Sequence, residues 1–99
     1  MKVELLYFDG CPNWTVADER LAEAVQLVPR DDVTVHRRKV ETQEDAIAVG
    51  FAGSPTILVD EHDPFATGDE QAGLACRVYS TPDGLAGSPT LAQLVEVLS

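Results

Sequence analysis

The chain has 99 residues, 44% hydrophobic and 24% charged, which suits one globular domain over residues 1–99 and argues against wholesale disorder. Seven basic residues against seventeen acidic ones leave a net charge of −10 at pH 7. That balance disfavours nucleic acid and anionic membranes as partners, since both are bound through a cationic face.

The first apolar stretch, Leu5–Leu6–Tyr7–Phe8, is far shorter than the roughly 18 residues a membrane span needs. Met1–Lys2–Val3–Glu4 leads into no secretory-type apolar run, so the expected compartment is the cytoplasm. Two cysteines, Cys11 and Cys76, are too few for a disulfide scaffold. In a reducing compartment each is either a reactive thiol or a buried one.

Val3–Phe8 carries a single charge, Glu4, and reads as a central strand covered on both faces. Asp9–Gly10 ends it with turn chemistry. After Cys11–Pro12, apolar residues recur at Trp14, Ala17, Leu21, Ala24, Val25 and Val28, which predicts a helix stopped by Pro29. Pro12 suits its first turn, where no amide donor is needed. Val33–Val40 predicts a second strand whose run His36–Arg37–Arg38–Lys39 suits an exposed edge. The sharper alternative for that run, an anion site, lacks a partnering motif.

Thr42 caps a short helix ending at Gly50, and Ile57–Val59 predicts a third strand. Residues 61–74 show little periodicity and read as a long loop. Within Asp60–Glu61–His62–Asp63 a metal site is conceivable, but solvated side chains are the commoner meaning and no metal is expected. Cys76–Ser80 predicts a fourth strand, and Thr81–Pro82–Asp83–Gly84 a turn. Ser88 and Pro89 read as the cap and first position of a last helix, with Leu91, Leu94, Val95 and Leu98 on its inner face. Gly-Ser-Pro-Thr occurs at 53–56 and again at 87–90, once before strand residues and once before helix periodicity, so it is no repeat unit.

The resulting order, β-α-β-α-β-β-α, predicts an α/β fold: a four-stranded mixed sheet with helices on both faces. With Tyr7-Phe8-Asp9-Gly10-Cys11-Pro12-Asn13-Trp14 closing the first strand and Gly53-Ser54-Pro55-Thr56 preceding the third, the chain resembles the thioredoxin-like superfamily over nearly its whole length. The resemblance implies that Cys11 is the nucleophile at the start of the first helix. It further implies that Pro55 is a cis-proline lying against Cys11, with the backbone of Ser54 offered to an extended thiol-bearing partner. Pro12, Ser54 and Pro55 become the substrate-binding positions. The chain departs from the dithiol form of the motif, because Trp14 stands where a second cysteine would be.

A helix start lowers a thiol's pKa from its free value of about 8.5, while a carboxylate such as Asp9 opposes that. Cys76 is a candidate second thiol, yet an antiparallel fourth strand would leave it roughly 13 Å from Cys11. Bridged cysteines need Cα atoms within about 7 Å, so Cys76 reads as a buried strand residue unless the long loop shifts the strand's start.

Two functions follow. The first is a monothiol thiol-disulfide oxidoreductase in which Cys11 exchanges with a thiol- or disulfide-bearing small molecule or protein. An external small thiol such as glutathione or mycothiol would then resolve the mixed disulfide. The second is a redox-inactive thioredoxin-fold binding module for a soft metal, an organometal or a protein partner.

Overall fold

A computed structural model describes residues 1–66 and 73–99. Gly68, Asp69 and Glu70 of the expected loop lie outside the described residues. Eight elements follow in order: β1 (Lys2–Tyr7), α1 (Trp14–Leu27), β2 (Thr34–Lys39), α2 (Gln43–Val49), β3 (Thr56–Val59), β4 (Tyr79–Thr81), β5 (Gly84–Ala86) and α3 (Leu91–Leu98).

The sheet has three strands in the order β2-β1-β3. β1 is central, parallel to β2 with Val3 opposite Val35, and antiparallel to β3 with Leu5 opposite Ile57. Its apolar sequence suits that place, because Val3, Leu5 and Leu6 are all buried. β2 is an outer strand, and His36 to Lys39 are exposed on it, as the run of charge predicts.

The two faces carry separate apolar clusters. Val3, Leu5 and Ile57 meet Ala17, Leu21 and Ala24 of α1 and Leu94 and Leu98 of α3. On the opposite face Leu6, Val40 and Phe51 pack with Ala46 of α2. Helices therefore cover both sides, two on one and one on the other.

Local signals act much as the sequence suggests around α2. Thr42 Oγ1 accepts a hydrogen bond from the Asp45 N–H at 3.0 Å, and Gly50 closes the helix in the left-handed conformation at φ 68°. α3 starts later than expected. Its cap is Thr90, not Ser88, and a reciprocal pair of bonds joins Thr90 to Gln93.

The sheet itself corrects the sequence reading. The expected fourth strand, Cys76–Ser80, is displaced to Tyr79–Thr81 and does not extend the sheet. It pairs with β5 in a separate two-stranded hairpin around the Thr81–Gly84 turn. The fold is thus a three-stranded mixed sheet plus a hairpin, not one four-stranded sheet. The cause lies upstream: residues 75–77 leave the strand path to bond Ser54 ahead of β3, so regular pairing begins only after them. Among the described residues no helix is long and apolar enough to cross a membrane.

Leu5 sits at the centre of the larger cluster with no exposed surface. Leu5→Ala should lower the unfolding free energy by about 2–5 kcal/mol, read as a shifted urea midpoint with unchanged slope. A loss below 1 kcal/mol would place the core elsewhere.

Candidate functional site

The first wall of the site is the turn after β1. The Cys11 N–H donates to the Phe8 carbonyl at 3.3 Å, and the Thr15 N–H and hydroxyl both donate to the Pro12 carbonyl, at 3.2 and 2.9 Å. Regular helix begins at Trp14, so Cys11 stands ahead of the helix and not on its first turn. Asn13 occupies the cap position without capping through its side chain. Its amide instead donates to Cys11 Sγ at 3.8 Å. Trp14 stacks on Tyr7 with ring centroids 4.2 Å apart, a packing role that anchors the turn to the sheet.

The second wall is Gly53-Ser54-Pro55-Thr56. Ser54–Pro55 is cis, as the resemblance implies, and is the one cis bond among the described residues. Ser54 Oγ accepts from the Phe8 N–H at 3.2 Å, which ties this wall to the cysteine turn. Ser54 and Pro55 are both buried, whereas Pro12 is exposed.

The third wall is the segment that carries Cys76. The Ser54 N–H donates to the Ala75 carbonyl at 2.7 Å, and the Arg77 N–H donates to the Ser54 carbonyl at 3.0 Å. These two bonds make a parallel bridge between Ser54 and Cys76. Gly53, at φ 105°, makes the approach feasible. A Cβ there would stand 2.9 Å from Arg77 Cβ and 3.2 Å from the Ala75 carbonyl oxygen.

The bridge sets Cys76 beside Cys11, and the two form a disulfide with Cα atoms 5.6 Å apart. The expected separation of roughly 13 Å is overturned, because Cys76 pairs with Ser54 before β3 and does not run antiparallel to that strand. Exposure is corrected as well. Cys76, expected as a buried strand residue, is the exposed member of the pair, and Cys11 is fully buried.

Arg77 pins the third wall. It is 5% exposed, and its guanidinium bonds the Asp63 carboxylate at 2.5 and 3.3 Å. The same group lies 4.5 Å from the centre of the Tyr79 ring. Tyr79 in turn donates its hydroxyl to the Pro55 carbonyl at 2.5 Å and receives Phe65 edge-on. Sequence reasoning missed Arg77 and Tyr79, and it considered Asp63 only as a conceivable metal ligand. The available signal was Arg77 itself, the only charge between Gly73 and Thr81.

The charge expected to oppose a Cys11 thiolate is compensated. The Asp9 carboxylate lies 2.7 Å from Lys39 Nζ. The hydrogen bond to Asp9, and after it the carboxylate's charge, raise the Lys39 pKa above its ordinary value. A cleft of about 120 Å³, lined by Asn13, Val16, Arg20, Ala86, Gly87 and Ser88, adjoins the turn through Asn13. The acidic residues at 60–63 do not gather. Asp60 accepts from the Lys2 N–H, and Asp63 faces Arg77. Among the described residues no three metal-ligating side chains converge.

No family model, no curated protein and no solved structure matches the chain. What stands from the geometry is an α/β fold with β-α-β-α-β order, a mixed sheet and one disulfide between two of its loops.

The disulfide joins residues 65 apart. Cys76→Ser should lower stability by about 4 kcal/mol in the chain-entropy account, measured by urea unfolding against the oxidised chain. A second measurement addresses the Asp9–Lys39 pair. In the reduced chain at fixed pH, Lys39→Met should slow alkylation of Cys11 roughly twofold and Asp9→Asn should speed it by a similar factor. Peptide-mapped iodoacetamide rates that ignore both changes would put the pair out of electrostatic reach.

Proposed function

We propose that the chain is a thioredoxin-like thiol–disulfide exchange protein whose working groups are Cys11 and Cys76. The observation that carries this reading is a disulfide set between the turn after the first strand and a cis-proline, with one sulfur on a buried residue and the other on an exposed one. The motif lacks a second cysteine three residues on, and Cys76 supplies one from a distant part of the chain.

The asymmetry of burial suggests the direction of attack. An external thiolate reaches the bond from the Cys76 side and forms a new bond to the Cys76 sulfur. The Cys11–Cys76 bond breaks, and its electron pair leaves on the Cys11 sulfur. Asn13 Nδ2, already 3.8 Å from that sulfur, donates to the departing thiolate. A second external thiol then attacks the mixed disulfide and releases Cys76. Two thiols have become one disulfide, and the chain has gained two electrons. The two protons pass through solvent to whichever thiolates take them up. The strict reverse begins with Cys76 attacking a partner disulfide and ends with Cys11 closing on Cys76. A partner that reaches the cysteine turn would instead be attacked by reduced Cys11 and released when Cys76 resolves the product. A small thiol such as glutathione or mycothiol fits the external role. In the monothiol version of this chemistry it would resolve Cys11 without Cys76.

The full burial of Cys11 favours a second reading, in which the bond is a permanent staple of a binding module. One experiment separates the two. The folded chain is incubated with graded reduced and oxidised glutathione at pH 7.5, quenched in acid, and its oxidation state is read by intact mass. Exchange predicts interconversion within minutes while circular dichroism stays native, with the mixed disulfide trapped on Cys76 in Cys11→Ser. A bond that resists until the chain unfolds would establish the staple.

A further inference from the structure

The Gly-Ser-Pro-Thr tetrapeptide borders the disulfide twice, through different partners. In the first copy Gly53 admits the segment that carries Cys76. In the second, at 87–90, Gly87 lies against Asn13. A Cβ at Gly87 would overlap Asn13 Nδ2 and stand 2.5 Å from Asn13 Cγ. The Gly87 φ lies outside the left-handed region, so a side chain is excluded there by space and not by backbone conformation.

The carboxamide confined in this way is the one whose nitrogen donates to Cys11 Sγ at 3.8 Å. Asn13 is otherwise an exposed residue whose side chain caps no helix amide. An unconfined side chain of that kind spreads over several rotamers. The strip that confines it is itself held. Ser88 and Pro89 are buried, and Arg20, two turns further along α1, donates from Nη1 to Ser88 Oγ at 3.0 Å and to the Pro89 carbonyl at 2.9 Å. α1 therefore carries both the amide and the clamp that sets Gly87 over it.

We propose that Gly87 is a positioning residue for Cys11: its bare backbone keeps the Asn13 carboxamide on the Cys11 sulfur, so that the reduced site holds a ready donor for the thiolate. This deepens the exchange reading and rests on it for its use, but the property belongs to the reduced chain and exists without turnover.

A hydrogen bond to the charged form favours thiolate over thiol. Burial acts the other way, and Cys11 has no exposed surface. In such a place a fixed donor counts for more than a mobile one, because losing it leaves a buried anion without a partner. The charged groups around this corner are the Asp9–Lys39 pair at the turn, the Arg77–Asp63 pair next to Cys76, and Arg20 in the cleft beside Asn13. Gly87→Ala alters none of them.

The test is Gly87→Ala in the full, reduced chain, with iodoacetamide alkylation of Cys11 followed against pH by peptide mapping. The Asn13 side chain borders solvent and the cleft, so it can swing aside and the fold should persist. Thiolate at a given pH should fall about tenfold, the worth of one hydrogen bond to a charged group. A more basic thiolate is also the better nucleophile, so alkylation should be about threefold slower well below the midpoint and about threefold faster on the high-pH plateau. A methyl group that merely blocked access would slow the reaction at every pH. Asn13→Ala should give the same crossed profile, and adding Gly87→Ala to it should change nothing further. An unmoved profile, slowing at every pH, or an equal effect of Gly87→Ala in the Asn13→Ala chain would overturn the proposal.

Should Gly87→Ala fail to fold, Arg20→Met tests the same hold by releasing the 87–89 strip. The crossed profile should then appear in the parent and be absent in the Asn13→Ala chain. An effect of equal size in both would mark a bare charge effect of Arg20 and overturn the proposal. If glutathione leaves the parent's disulfide untouched while the crossed profile holds, the exchange reading fails and the positioning role stands.

Discussion

The site depends on how the backbone of Ser54 is satisfied. Ser54 lies where the chain has turned into β3 but has not reached the first paired residue, and it is fully buried. A buried amide or carbonyl without a partner costs about 1–3 kcal/mol, so both groups need one. The sheet supplies none at that point. Residues 75–77 supply both, and in meeting that requirement they carry Cys76 to within bonding distance of Cys11. The disulfide is thus the covalent consequence of a backbone pairing. Gly53 permits the crossing by leaving vacant the space that a side chain would take from Ala75 and Arg77.

Electrostatics hold the crossing segment in register. Among the described residues Arg77 is the buried charge of the site, and Asp63 faces it as a counter-ion. A buried pair of this kind gives little net stability over an apolar substitute, yet losing one partner strands the other charge away from water. Arg77 therefore resists displacement unless an equivalent cation replaces it. The Tyr79 hydroxyl on the Pro55 carbonyl joins the same elements a second time, from β4 to the residue before β3. The three walls of the site are consequently one connected unit, and a change at any wall is felt at the others.

Much of the fold was legible because its signals are local. The unbroken apolar run of β1 marks a central strand, the charges of His36–Lys39 mark an outer one, and Thr42 with Asp45 caps α2 through bonds three residues apart. Errors arose where one local signal competed with another. Ser88–Pro89 resembles a helix start, but Thr90 with Gln93 makes the reciprocal pair and wins. β5 escaped notice because its residues, Gly84, Leu85 and Ala86, have no alternating pattern and Leu85 is exposed. Cys11 and the Ser54–Pro55 bend could be found by their resemblance to a known motif. The place of Cys76 could not. It follows from an unmet backbone requirement at a residue 22 positions earlier, which has no counterpart in periodicity or composition.

Drawing the second sulfur from a distant loop also couples oxidation to folding. Where two cysteines share one turn, closing the bond orders little chain. Here it closes a loop across 65 positions, and by linkage whatever free energy the bond adds to the folded state the folded state returns to the bond. The pairing with Ser54 and the seat of Arg77 act in the same direction, since both hold the two cysteines in bonding position. A bond supported in this way is harder to reduce than the same bond in the unfolded chain, and its dithiol form is correspondingly readier to give up electrons. Within the proposed exchange, the favoured role of the reduced chain is therefore donor of electrons to a partner's disulfide. Closing the Cys11–Cys76 bond then ties the Ser54 pairing covalently in place.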